Sequence, residues 1–255
     1  MIFNSQLRAL EAFRYATFRP RMLQHLGNHF RELAVLCGEE GFGKIIDDAV
    51  PRIEALGLQS NYEACIFIDL SVMLGRGFDT DPLLSWVQAI LERPLPDKTA
   101  WMEKLMNAAV KFRQQILGAE ERPPAAMFDK IIQASYDDIE DAIKPLSRVA
   151  FLEYLDALWP EKFTVVDESG FGKLLEESVA VARAHGILSQ EGARYVCLLM
   201  FLLGHQFHHD FQYEWLMNIL NDPQYDTEYY KLCSLHFTLQ KYFEALMEEP
   251  DFSNQ

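Results

Sequence analysis

Apolar residues recur every three to four positions along most of the chain, and no run alternates apolar and polar residues for the length of a strand. The pattern predicts an all-α protein. In the first part of the chain, Asn4 or Ser5 is positioned to cap a first helix that Pro20 would break, and a second helix reaches about Leu33. A third follows the G-F-G-K of Gly41 to Lys44, is expected to kink at Pro51, and ends at Gly57, a suitable C′ residue. Ser60 and Glu63 have the spacing of a capping box and open a fourth helix. Asp81 followed by Pro82 reads as an N-cap with proline at N1, the start of a fifth. A sixth runs from Asp97 to Gly118, and the chain closes with a long helix from about Thr227 to Met247.

The pattern is written twice. Residues 41–94 align without a gap on residues 170–223, so that a position n in the first segment corresponds to n + 129 in the second (170 − 41 = 129). About a third of the aligned positions are identical, and many others exchange one apolar or acidic residue for another. The match extends more weakly to Leu23 and Leu26 with Leu152 and Leu155, and to Leu117 with Leu246. Such a period is far longer than that of a solenoid repeat, so the unit is a duplicated bundle of about six helices. The organisation expected is a first unit over 1–118, a linker over 119–127 containing two prolines, and a second unit over 128–255, packed with pseudo-two-fold symmetry.

Residues kept in both copies serve the shared fold, and residues present in only one are better functional candidates. The shared set is Gly75, Phe78, Asp81 and Trp86, matching Gly204, Phe207, Asp210 and Trp215. The glycine ends a helix, the aspartate caps the next, and the two aromatic residues would pack across the corner like a staple.

Charge narrows the choice of partners. The 255 residues carry a formal net charge of -15, which repels phosphate backbones and anionic lipid and so argues against nucleic acid and membrane surfaces as partners. No apolar run approaches the length of a membrane span, and the charged N-terminal stretch does not resemble a signal peptide. Four cysteines without a CxxC pair suggest free thiols in a reducing cytoplasm.

Few residues suggest chemistry. Gly38 to Lys44 fits G-x-x-x-x-G-K, but Ile45 stands where a phosphate loop needs Ser or Thr, and no strand precedes it. A helix entry turn is the better reading. His205, His208 and His209 would share a face if helical, a weak metal candidate whose counterparts are Arg76, Asp79 and Thr80. Acidic clusters at Asp137, Asp138, Glu140 and Asp141, and at Glu248, Glu249 and Asp251, read as solvated faces open to a basic partner. The last helix is rich in aromatic residues, and Tyr225, Tyr229, Tyr230, Tyr242 and Phe243 are candidates for partner contact. No catalytic constellation and no cofactor motif is present in the sequence.

The stretch from Gly57 to Leu91 resembles a bacterial family with a G-x-x-F-D-x-D-P-x-L-x-W core, encoded beside type VI secretion effectors and their PAAR spike proteins. Gly57, Glu63, Asp69, Leu70, Gly75, Phe78, Asp79, Asp81, Pro82, Leu84 and Trp86 carry the match, while Ser85 replaces an expected proline and Leu74 an expected aromatic residue. The resemblance covers about 35 residues and implies a non-enzymatic cytoplasmic chaperone, co-chaperone or adaptor. Its protein partner would be a secretion effector, a chaperone or a PAAR protein, and the protein would assist loading onto the spike. An immunity protein that neutralises a cognate toxin is the alternative, and a metal protein or enzyme built on His205, His208 and His209 is the second.

Overall fold

The computed structural model describes residues 2–118, 125–144, 147–225 and 227–247, with the backbone alone for 2–14 and 125. These residues are all-helical. The first part holds α1 (Ile2–His29), α2 (Arg31–Ala55), α3 (Asn61–Leu74), α4 (Ser85–Leu91) and α5 (Lys98–Leu117). The second holds α6 (Ala125–Gln133), α7 (Tyr136–Ile143), α8 (Arg148–Leu158), α9 (Pro160–Phe163), α10 (Phe171–Ala184), α11 (Gln190–Leu203), α12 (Glu214–Asn221) and α13 (Glu228–Met247), with short 3-10 turns at 168–170, 207–209 and 211–213. Residues 119–124 of the expected linker lie outside the described residues, and 125–127 already belong to α6.

Local rules explain several helix starts. Ser60 accepts from the Glu63 N–H while the Glu63 carboxylate accepts from the Ser60 N–H, closing the expected capping box at the start of α3. Asp97 caps α5 through the N–H groups of Thr99 and Ala100. Three expectations are corrected. Pro20 does not break α1, which runs through it from Ile2, so Asn4 and Ser5 lie inside the helix. Proline forfeits one ladder bond and collides with the turn before it, a cost that packing against α2 offsets here. The kink in α2 falls at Gly38 (φ 65°, ψ 177°), not at Pro51. Asp81 closes a turn by accepting from the Leu83 N–H, and α4 begins only at Ser85. The kink at Gly38 divides α2 into two helical segments, so the first part keeps about six, with the early breaks at Phe30 and Gly38 rather than at Pro20.

The local structure repeats at the sequence offset. α3 and α11 correspond end to end, since 61 + 129 = 190 and 74 + 129 = 203. Ser60 and Ser189 both cap, and Gly75 and Gly204 both end their helices in the same unusual backbone conformation (φ 92°, ψ 157° and φ 102°, ψ 147°). Asp81 accepts from the Leu83 N–H as Asp210 accepts from the Gln212 N–H.

The core is continuous through both parts. α11 is buried on every side from Gly192 to Leu203, as expected of a helix apolar all round. By contrast α5 buries one stripe, Trp101, Leu105, Ala109, Phe112 and Ile116, spaced three and four apart.

Candidate functional site

The motif residues shared by the two parts meet at the seam between them. Gly75 lies against Leu203 and Gly204, and Gly204 against Leu74 and Gly75. The residue after each glycine turns to the aspartate of the other part. The Arg76 N–H donates to Asp210 Oδ2 over 2.8 Å, and His205 Nδ1 lies 3.7 Å from Asp81 Oδ2. Asp210 also accepts from the backbone and side chain of Gln212, yet burial pushes its carboxyl up to about 6. The Arg76 guanidinium grips both oxygens of Asp48 at 2.7 and 2.8 Å and donates to Gln206 Oε1 at 2.8 Å. A cavity of about 200 Å³ beside this network is lined from both sides by corresponding residues, among them Leu74 with Leu203, Leu84 with Tyr213 and Leu117 with Leu246. Phe78 packs on Phe67 and Trp86 on Phe112, so the expected staple is two separate anchors into α3 and α5.

The same seam accounts for G-F-G-K, whose glycines begin no phosphate loop. A Cβ on Gly170 would stand 2.1 Å from the Pro82 carbonyl oxygen, and one on Gly41 would stand 3.8 Å from the corresponding Phe211 oxygen. The second glycine admits an arginine: a Cβ on Gly43 would meet Arg19 at 2.4 Å, and one on Gly172 would meet Arg148 at 3.1 Å. Arg19 and Arg148 are themselves 129 apart, a correspondence outside the aligned segments. Lys44 pairs with Glu214 at 2.8 Å and Glu40 at 3.1 Å.

His205, His208 and His209 do not form the metal cluster the spacing suggested. Gly204 ends α11, and residues 207–209 form a single 3-10 turn. His205 is buried against Asp81 and Thr80, whereas His208 packs with His185 and His209. Burial lowers His208 to about 3 and also lowers His205.

The aromatic candidates divide. Tyr242 and Phe243 are core residues, a correction with a simple cause: they extend the stripe of Leu232, Leu235 and Leu239 along α13. Tyr225 is half-buried and bonded to Ser234 over 2.7 Å. Tyr229 and Tyr230 remain exposed, with the Tyr229 hydroxyl donating to Asp137. The first acidic cluster is used locally: Asp138 completes a capping box with Ser135 and Asp141 pairs with Lys144. Glu248, Glu249 and Asp251 lie outside the described residues.

A groove of about 490 Å³ lies between α8, α10 and α11. Its floor includes Phe151, Leu175, Val179 and Ala193, and three arginines border it. Arg194 is buried, donates to the Ile143 carbonyl over 2.7 Å and lies 5.8 Å from the Phe151 ring centre. Arg148 and Arg183 stand exposed at the rim, beside the exposed Leu188. No family model, curated protein or solved structure matches this chain. The counterpart of this groove in the first part has different residues. There Glu54 and Cys65 stand where Arg183 and Arg194 are, and Arg19 is held by Asp47 at 2.8 Å. No corresponding ion pair holds Arg148 among the described residues. Arg183 and Arg194 differ between the copies, as a functional candidate should, but so do most aligned positions, and only the packing of α8, α10 and α11 brings these arginines to one groove.

Proposed function

We propose that the chain is a non-enzymatic cytoplasmic adaptor that receives an acidic, amphipathic segment of a protein partner in the arginine-bordered groove of its second half. The groove carries the reading: an apolar floor offers burial, and Arg148 and Arg183 offer cationic rims on a chain that is otherwise strongly acidic. Contrast with the surrounding negative field favours an anionic segment there and disfavours it elsewhere on the surface. The family resemblance supplies the class of partner, a type VI secretion effector, its chaperone or a PAAR protein being brought to the spike. No described helix is long and apolar enough to cross a membrane.

The two halves are read as copies related by an approximate two-fold rotation. Support comes from contacts made in both directions across the seam: Gly75 with Gly204, Arg76 with Asp210 against His205 with Asp81, and Gly41 with Phe211 against Gly170 with Pro82. Such packing leaves the two outer faces to differ.

Affinity capture from the native bacterium, with the secretion genes expressed and captured proteins identified by mass spectrometry, tests the function. The unaltered protein is expected to capture an effector, chaperone or PAAR protein, and the Arg148→Glu, Arg183→Glu double variant to lose at least about tenfold of it. Equal capture by the folded double variant would move binding away from the groove, and recovery of no secretion component would overturn the adaptor role.

A further inference from the structure

On the outer side of the first half, His25 of α1 meets Cys65 and Asp69 of α3. His25 Nε2 lies 3.0 Å from each carboxylate oxygen of Asp69, and the Cys65 thiol donates to Asp69 Oδ2 over 3.8 Å. One donor atom from each of the three residues lies within 4.8 Å of the other two, and all three side chains are half-buried. Among the described residues no other group of three such donors comes this close.

We propose that His25, Cys65 and Asp69 form a binding site for one zinc-class divalent ion. The positions of Cys65 and Asp69, four apart on α3, set sulfur and oxygen on one helix face, and α1 brings the imidazole over them. In a tetrahedral site with bonds of about 2.0–2.3 Å, neighbouring donor atoms stand roughly 3.3–3.8 Å apart, so adjustments below an ångström seat an ion. Nitrogen, sulfur and a single carboxylate form a set for zinc, cobalt or nickel; calcium and magnesium require oxygen. Three protein ligands leave the fourth position to water.

Two observations favour an ion over the obvious competitors. The second half has Tyr154, Arg194 and Leu198 at the corresponding positions, so the repeated fold does not require this trio. A cysteine nucleophile would need the imidazole beside the thiol, whereas here Asp69 stands between them. An ion binds the thiolate and displaces the thiol proton, so affinity rises with pH. The ion would also tie the last turns of α1 to α3, where His29 already stacks on His25 with ring centres 4.2 Å apart.

Cobalt(II) titration of the full-length, untagged protein, followed by optical absorption, tests the site. The expected result is saturation at one ion per chain, with a thiolate-to-cobalt charge-transfer band and the intense visible bands of tetrahedral cobalt. Zinc should displace the cobalt and raise the melting temperature. Cys65→Ser should lose the charge-transfer band, and Asp69→Asn should weaken binding by at least about tenfold, with circular dichroism showing both variants folded. Absence of saturable cobalt binding by the unaltered protein, or a charge-transfer band that survives Cys65→Ser, would overturn the proposal.

Discussion

Gly75 and Gly204, 129 positions apart, pack against each other: a Cβ built on either would stand 3.7 Å from the Cα of the other. Each ends its helix in a backbone region open essentially to glycine alone, so shape and conformation demand the same residue on both sides of the seam.

Gly75→Ala and Gly204→Ala are each expected to lower stability by about 1–3 kcal/mol, from the positive φ and from a Cβ 3.2 or 3.4 Å from the facing carbonyl oxygen. In a chain of this size each kcal/mol shifts the melting temperature by roughly 2–4 °C. Urea unfolding followed by tryptophan fluorescence measures the loss; two variants as stable as the parent would show that the seam is not packed this way.

The first glycine of G-F-G-K predicts an inequality. Gly170→Ala drives a methyl to 2.1 Å from the Pro82 carbonyl oxygen, where backbone must move, at a cost of about 3 kcal/mol or more. Gly41→Ala meets Cys37 Cβ at 2.9 Å and a carbonyl oxygen only at 3.8 Å, and should cost about 1 kcal/mol. Equal losses in the two variants, in the same unfolding experiment, would contradict this account of the motif.

Acid should destabilise the protein from about pH 6.5 downward. His208 is lowered from 6.5 to about 3, first by burial and then by His209, His185, His205 and Arg76, so the unfolded chain takes up its proton earlier than the folded one. That difference is lost stability as pH falls from 6.5 toward 3, roughly 2 kcal/mol after allowing for partial solvent screening. Asp210 acts oppositely. Raised from 3.8 to about 6, it contributes stability that is fully present below 3.8 and lost as pH rises through 6. His208→Gln should flatten the pH profile of urea stability between 6.5 and 4; an unchanged slope would assign the acid sensitivity to other groups.

Elements governed by neighbours in sequence were legible before folding. The Ser60–Glu63 box and the Asp97 cap need only three or four consecutive residues to be recognised, and the long last helix only its own run of apolar spacing. Pro20 misled because its local cost is real and a distant surface outweighs it. Tyr230 and Tyr242 look alike in composition and differ only in phase: Tyr242 is on the stripe of Leu232, Leu235 and Leu239, and Tyr230 is not. The candidate sites were out of reach for another reason. His25 and Asp69 are joined by the packing of α1 on α3, and Arg148 and Arg183 by that of α8 against α10, neither of which any local spacing encodes.

Contacts made once in each direction across a seam are those by which two identical chains would pair. A symmetric homodimer shows every surface twice, so any change that opens a groove on one subunit opens it on the other and must be tolerated in both places. Joining the halves in one chain removes that coupling. If the halves are copies, the seam requires its glycines on both sides while the flanks are free to differ: one carries arginines over an apolar floor, and the other a histidine, a cysteine and an aspartate. A single chain can thereby present two unlike ends on one frame.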